Sequence, residues 1–198
     1  VYMSGSNSNV EVDQESSAIL ESHDIKAASN GDHDAFRRLV ERYQATIATQ
    51  MRRFSVDHRV LEELVHDVFV EAFVSLPGFR EKSPFEHWLR KIAVRVGYRH
   101  WKTEAREKRR ADEIRDHANS TPAFIEPPTD AMEAMDQLHS VFAKLSPRDR
   151  LVLTLLYWDG HTVAEAAKLA GWTQSLVKVQ AHRARKRLKK LLEQSDGR

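Results

Sequence analysis

The chain has 198 residues, 41% of them hydrophobic, and 31 Lys and Arg nearly balance 29 Asp and Glu, leaving a net charge of +2. That is length and apolar content for two small domains with real cores, and it excludes a wholly disordered chain. There is no cysteine, which removes disulfides and thiolate metal ligands. No apolar run approaches the ~20 residues of a membrane span and no signal peptide is visible, so a cytoplasmic protein without membrane insertion is expected.

The small net charge conceals an asymmetry. Residues 1–34 carry Glu11, Asp13, Glu15, Glu21, Asp24, Asp32 and Asp34 against the single cation Lys26, whereas residues 178–190 carry Lys178, Arg183, Arg185, Lys186, Arg187, Lys189 and Lys190 and no carboxylate. Such local fields attract nucleic acid whatever the total.

Taken in order, residues 1–17 are polar and Ser/Asn-rich and read as a disordered tail. A weak helical pattern over 18–29 stops at Asn30-Gly31. Asp32 or Asp34 then caps a helix whose Phe36, Leu39, Val40, Tyr43, Ile47 and Met51 recur at spacings of three and four. Asp57 caps the next, which carries Leu61, Leu64, Val65, Val68, Phe69, Ala72 and Phe73 and halts at Leu76-Pro77-Gly78. Ser83-Pro84-Phe85-Glu86 reads as a capping box with proline at the first helical position. The helix it opens runs to about Arg110 or beyond. Leu89, Ala93, Val96 and His100 form a core-like stripe on it, and Trp88, Lys91, Arg95, Arg99 and Lys102 line up beside that stripe. An aromatic among cations on one face suits unstacked bases and phosphates.

Residues 118–129 hold Asn119-Ser120-Thr121-Pro122 and Pro127-Pro128, which break helices and mark a linker. About a dozen extended residues reach up to ~40 Å. Asp130 then opens a helix through Met132, Met135, Leu138, Val141, Phe142 and Leu145. Ser146 caps another, whose Leu151, Val152, Leu153, Leu155, Leu156 and Tyr157 are apolar nearly all round and predict the buried centre of a second domain.

Thr162-Val163-Ala164-Glu165 is a capping box for a short helix broken at Gly171-Trp172, and Thr173 caps the last helix, over 173–192. At ~100° per residue, Val177, Ala181, Ala184, Leu188 and Leu191 make one apolar stripe, while Ser175, Lys178, Val179, His182, Lys186 and Lys190 lie opposite. A short helix, a glycine turn and a basic amphipathic helix spell helix-turn-helix, with the second helix aimed at a major groove.

Two separated stretches resemble one family, the extracytoplasmic-function branch of the bacterial sigma-70 transcription initiation factors. The first is Leu61-Glu-Glu-Leu-Val-His-Asp-Val-Phe-Val-Glu-Ala-Phe73 with Leu76-Pro-Gly-Phe-Arg80 and Phe85-Glu-His-Trp-Leu-Arg-Lys-Ile-Ala93, similar to the family's domain 2. The second runs from Leu145-Ser-Pro-Arg-Asp-Arg-Leu-Val-Leu153 through Val177-Lys-Val-Gln-Ala-His-Arg-Ala-Arg-Lys-Arg-Leu188, similar to its domain 4. The resemblance implies an all-α protein of two small helical domains: a tail (1–17), domain 2 (18–115), a flexible linker (116–129) and domain 4 (130–198).

It further implies that the partners are core RNA polymerase, through the clamp helices of the β′ subunit and the β flap, promoter DNA, and an inhibitory anti-sigma factor, which could hold the otherwise nucleoid-associated protein at the membrane. Polymerase contact would fall on Glu63, Leu64, Asp67, Val68 and Glu71. Minus-thirty-five duplex would be read by Ser175, Lys178, Val179, His182, Arg183 and Lys186. Melted minus-ten DNA would meet Phe79, in the loop over 76–84 that would pocket a flipped base, together with Trp88, Lys91, Arg95, Arg99 and Lys102. Two positions depart from the family pattern: Arg95 stands where members often carry Asn, and Val179 where they often carry Ser or Thr. Valine methyls favour a thymine C5-methyl over a hydrogen bond.

Ten histidines invite a metal reading, but none are paired at helical ligand spacing beside a carboxylate. With no phosphate loop and no nucleophile elbow, neither cofactor nor catalysis is expected. Two other readings stay open on the residues alone: an operator-binding helix-turn-helix regulator, and a sigma-like decoy that sequesters an anti-sigma factor. Trp88 serves equally as a core residue.

Overall fold

A computed structural model describes residues 7–117 and 141–196, and among these every regular element is helical. They are α1 (Asn7–Ser29), α2 (His33–Met51), α3 (His58–Ser75), a 3-10 turn (Leu76–Gly78), α4 (Phe85–His117), α5 (Pro147–Leu153) running into a π-turn (Thr154–Trp158), α6 (Val163–Ala170) and α7 (Gln174–Asp196). The expected linker, and most of the helix expected from Asp130, lie outside the described residues.

The chain divides into two compact units, Val1–Ala93 and Val94–Arg198, so the boundary falls inside α4. In the first unit α1 packs on α2, and α2 on α3. α1 begins at Asn7, well inside the stretch expected as a tail, and is tied to α2 by Asp24 and Arg38 (2.6 Å) and by Glu21 and Arg42 (3.5 Å). Asp32 is the N-cap of α2, accepting from the Asp34 and Ala35 amides, and Asp57 caps α3 in the same way. Leu39, Ile47, Met51, Val68, Leu76, Leu89 and Ile92 are fully buried, each side chain contributing about 1.5–3 kcal/mol of transfer free energy. Gln50, also buried, donates to the Arg90 carbonyl and so joins α2 to α4. α4 starts one residue later than expected: the Pro84 carbonyl accepts from His87 and Trp88, placing proline in the cap position.

In the second unit α5 packs on α7, and α6 on α7. Ser146 caps α5. The core comprises Val141, Leu145, Leu151, Val152, Leu153, Leu155, Ala166, Val177, Ala181 and Ala184. Tyr157, expected inside, is 58% exposed. The π-turn is the reason: the Asp159 amide reaches back five residues to the Thr154 carbonyl, and a widened turn rotates the following side chains out of phase with an α-helix. Arg150 donates to the Ala143 and Leu145 carbonyls and to Glu104 (2.9 Å), and lies over the buried Trp101 ring, both partners being on the second half of α4.

Candidate nucleic-acid and polymerase interfaces

The helix-turn-helix is α6, a turn and α7. Thr162 and Glu165 form the predicted capping box, with the Thr162 amide and hydroxyl donating to the Glu165 carboxylate at 2.8 and 2.7 Å. These bonds hold that carboxyl below its usual pKa. The box therefore contributes at neutral pH and is lost only as pH falls through the depressed folded value. Gly171 ends α6 in the left-handed conformation at φ 69°, and Thr173 accepts from the Leu176 amide to start α7. Beyond the adjoining residues the space beside Gly171 is open, so Gly171→Ala carries backbone strain alone. A loss of about 1–2 kcal/mol is expected, read as a Tm lowered by a few degrees; an unchanged Tm would show that the turn adapts.

α7 presents the face expected of it. Val177, Ala181 and Ala184 are buried, whereas Ser175, Lys178, Val179, His182, Arg183 and Lys186 are all exposed, Val179 by 48%. In the basic run, Lys189 pairs with Glu193 at 3.8 Å on α7 itself, whereas the Arg187 guanidinium is bound to Asp149 of α5 at 2.6 Å. That cation is committed inside the unit.

In the first unit an aromatic trio stands where the 76–84 loop meets α4. Phe79 lies 5.0 Å from Trp88 and 5.6 Å from Phe85, and Phe85 lies 5.3 Å from Trp88, between ring centroids. Phe85 is buried; Phe79 and Trp88 are half-buried, so each keeps a wet surface while packing on the third ring. The loop holds Glu81 at φ 53°, rare for a residue with a β-carbon. Along α4, Lys91 in the first unit and Arg95, Arg99 and Lys102 in the second are exposed. The Lys102 ammonium sits 5.7 Å from the Tyr98 ring, and Tyr98 meets Trp172 edge-on at 6.2 Å.

On α3, Leu64 and Val68 do not reach the surface, being 4% and 0% exposed. They stand one turn apart on the core-facing side, and a contiguous sequence segment necessarily includes both faces of a helix. Glu63 and Asp67 are exposed and Glu71 half-buried; Glu63 pairs with Arg59 at 3.4 Å. Beside them α2 and α3 enclose an apolar groove of about 840 Å³ lined by Phe36, Val40, Ala45, Ala48, Leu61, Val65, Phe69, Val70, Phe73 and Val74, with His66 and Glu62 among its polar members. Sequence reasoning missed this groove. The exposed Val70 and Val74 carried the signal, as apolar residues on an otherwise charged face.

Among the described residues no group of acidic and histidine side chains is arranged to hold a metal ion, and no helix is long and apolar enough to cross a membrane. The short helix α6, the glycine turn and the basic α7 are the arrangement of a helix-turn-helix DNA-binding protein. Comparison with known proteins specifies it. The family model for sigma-70 region 2 matches residues 39–107 and that for sigma-70 region 4 matches residues 135–188. The RNA polymerase sigma-H factor of Pseudomonas aeruginosa is 27% identical over 85% of this chain and 92% of its own length. The ECF RNA polymerase sigma-E factor of Escherichia coli K12 is 27% identical over 81% and 88%. Among solved structures, CnrH in complex with the cytosolic domain of CnrY aligns with TM-score 0.55 at 25% identity, covering 88% of this chain and 97% of that one. The sigma factor RpoE in complex with the anti-sigma factor NepR from Bartonella quintana shares the fold, with TM-score 0.51 at 21% identity over 80% and 96%. The chain belongs to the sigma-70 family, in its extracytoplasmic-function branch. It is a transcription initiation factor that directs RNA polymerase.

Proposed function

We propose that this sigma factor divides its work among four surfaces, with residues 18–115 as domain 2, 116–129 as linker and 130–198 as domain 4. The exposed face of α7, with Ser175, Lys178, Val179, His182, Arg183 and Lys186, reads minus-thirty-five duplex. Phe79 and Trp88 receive an unstacked minus-ten base, and Lys91, Arg95, Arg99 and Lys102 follow the opened strand. Core polymerase docks on the α2/α3 groove, with Glu63, Asp67 and Glu71 meeting basic side chains of the β′ clamp helices. A smaller cleft of about 530 Å³, lined by Phe142, Leu153, Tyr157, Trp158, Arg185 and Leu188, suits an apolar element of the β flap. An anti-sigma factor restrains the protein by covering the groove, keeping it in the cytoplasm or at the membrane until released. The observation that carries this reading is that the chain has both a basic, outward-facing recognition helix and an aromatic cluster in which Phe79 and Trp88 are half-buried, because opened DNA needs stacking and duplex DNA needs a groove reader.

The test is reconstitution: the chain is added to core polymerase with a promoter library and the transcripts are mapped. Specific starts sharing sequence at both elements are expected; duplex binding without a specific start would leave the operator-regulator reading. Within the recognition helix, Val179→Ser is expected to change preference at one base position, whereas Lys190→Ala weakens all promoters alike. Base-resolved transcription profiles distinguish the two, and the reverse pattern would mean that α7 faces the duplex otherwise.

A further inference from the structure

The recognition helix is held by a polar pin that lies entirely inside the second unit. Asp149, on the first turn of α5, is 0% exposed. Its Oδ1 accepts from Gln180 Nε2 at 2.6 Å, and its Oδ2 accepts from the Ser146 hydroxyl at 2.7 Å and from Arg187 Nη1 at 2.6 Å. Gln180 is itself buried. A buried carboxylate is tolerated only when hydrogen-bonded and paired, and here two of those donors stand two turns apart on one line of α7.

That line has a defined angular relation to the DNA face. At ~100° per residue, Gln180 and Arg187 fall within ~20° of each other and roughly 135° from the mean direction of Lys178, Val179, His182 and Lys186. The apolar stripe of α7 supplies contact that is non-directional, and two of its buried members, Ala181 and Ala184, are short. Two hydrogen bonds to one fixed carboxylate are directional. With a helix radius of ~5–6 Å, a 20° rotation displaces side-chain tips by ~2 Å, more than a base-edge hydrogen bond tolerates.

We infer that Asp149 is a positioning residue which, through Gln180 and Arg187, sets the rotation of α7 and thereby the base discrimination of the minus-thirty-five reader. The inference rests on the promoter-reading function proposed above. Phosphate attraction depends on charge and survives small rotations, whereas base readout depends on orientation. Loss of the pin should therefore flatten specificity while leaving sequence-independent affinity.

The experiment uses the full chain with core polymerase on promoters differing at single minus-thirty-five positions, alongside thermal melts. For the wild type a mismatch is expected to lower transcript yield about tenfold, within the usual range. Asp149→Asn places an NH₂ donor among donors and should compress that ratio to under about threefold. Adding Gln180→Glu returns an acceptor for that NH₂ and should restore most of the ratio. Arg187→Gln, at the 58% exposed end of the pin, provides the reading if Asp149→Asn does not fold, and should compress the ratio partway. A folded variant that lowers yield on every promoter by the same factor, with the ratio intact, would overturn the positioning role and leave Asp149 a stability residue. A wild type with no base preference would instead overturn the promoter-reading function itself.

Discussion

Trp88→Ala is expected to lower transcript yield about 10–100-fold on duplex promoters while core polymerase binding stays intact. Stacking of an unpaired base on an aromatic ring contributes ~1–3 kcal/mol, and each 1.4 kcal/mol is tenfold. The half-exposed Trp88 ring has the surface for that contact, and its packing on Phe79 and Phe85 holds the ring in place. A pre-melted promoter should recover part of the loss, because the unpairing cost of a few kcal/mol has already been met. Trp88→Phe retains a π-face and much of the packing, so it should stand much closer to wild type than to alanine. Equal losses on duplex and pre-melted templates, together with a lowered Tm, would assign Trp88 to the core alone.

The second large effect concerns the α2/α3 groove. Val70 lines it and is 48% exposed, so Val70→Arg should leave the fold intact, as surface changes usually fall within about 0.5 kcal/mol. Against a partner it would place an unmatched cation in an apolar contact and oppose basic groups drawn to Glu63 and Asp67. Interface centres of this kind cost at least ~2 kcal/mol when disrupted, and like-charge repulsion adds to that, so a loss of about 100-fold in affinity is expected. A fluorescence titration of labelled protein with core polymerase reads it directly. Unchanged affinity in the folded variant would move the docking surface away from this groove.

Sequence and tertiary structure contributed different things. Helix starts were legible because capping is local: Asp32, Asp57, Ser146, Thr162 and Thr173 each act on amides two or three residues away. The two faces of α7 were legible because burial follows a 3.6-residue period, and the left-handed turn because Gly171 follows a helical run. The family resemblance on residues 61–93 and 145–188 supplied the function, which no periodicity contains.

Other features needed packing in three dimensions. Leu64 and Val68 turned inward while Val65 and Val70 line a groove, because which apolar residues stay wet depends on where α2 lies beside α3. The π-turn exposed Tyr157, since one extra residue in a turn shifts phase without an obvious sequence mark. Nothing in the sequence spacing links Asp149 to Gln180 and Arg187; only the apposition of α5 and α7 joins them. By itself the sequence determined where the capped helices α2, α3, α5, α6 and α7 begin, which faces are apolar and which family the chain resembles, because those are written in short-range spacing and motif. The tertiary structure decided which apolar residues remain available to a partner and which charges are spent inside, because both depend on neighbours distant in the chain.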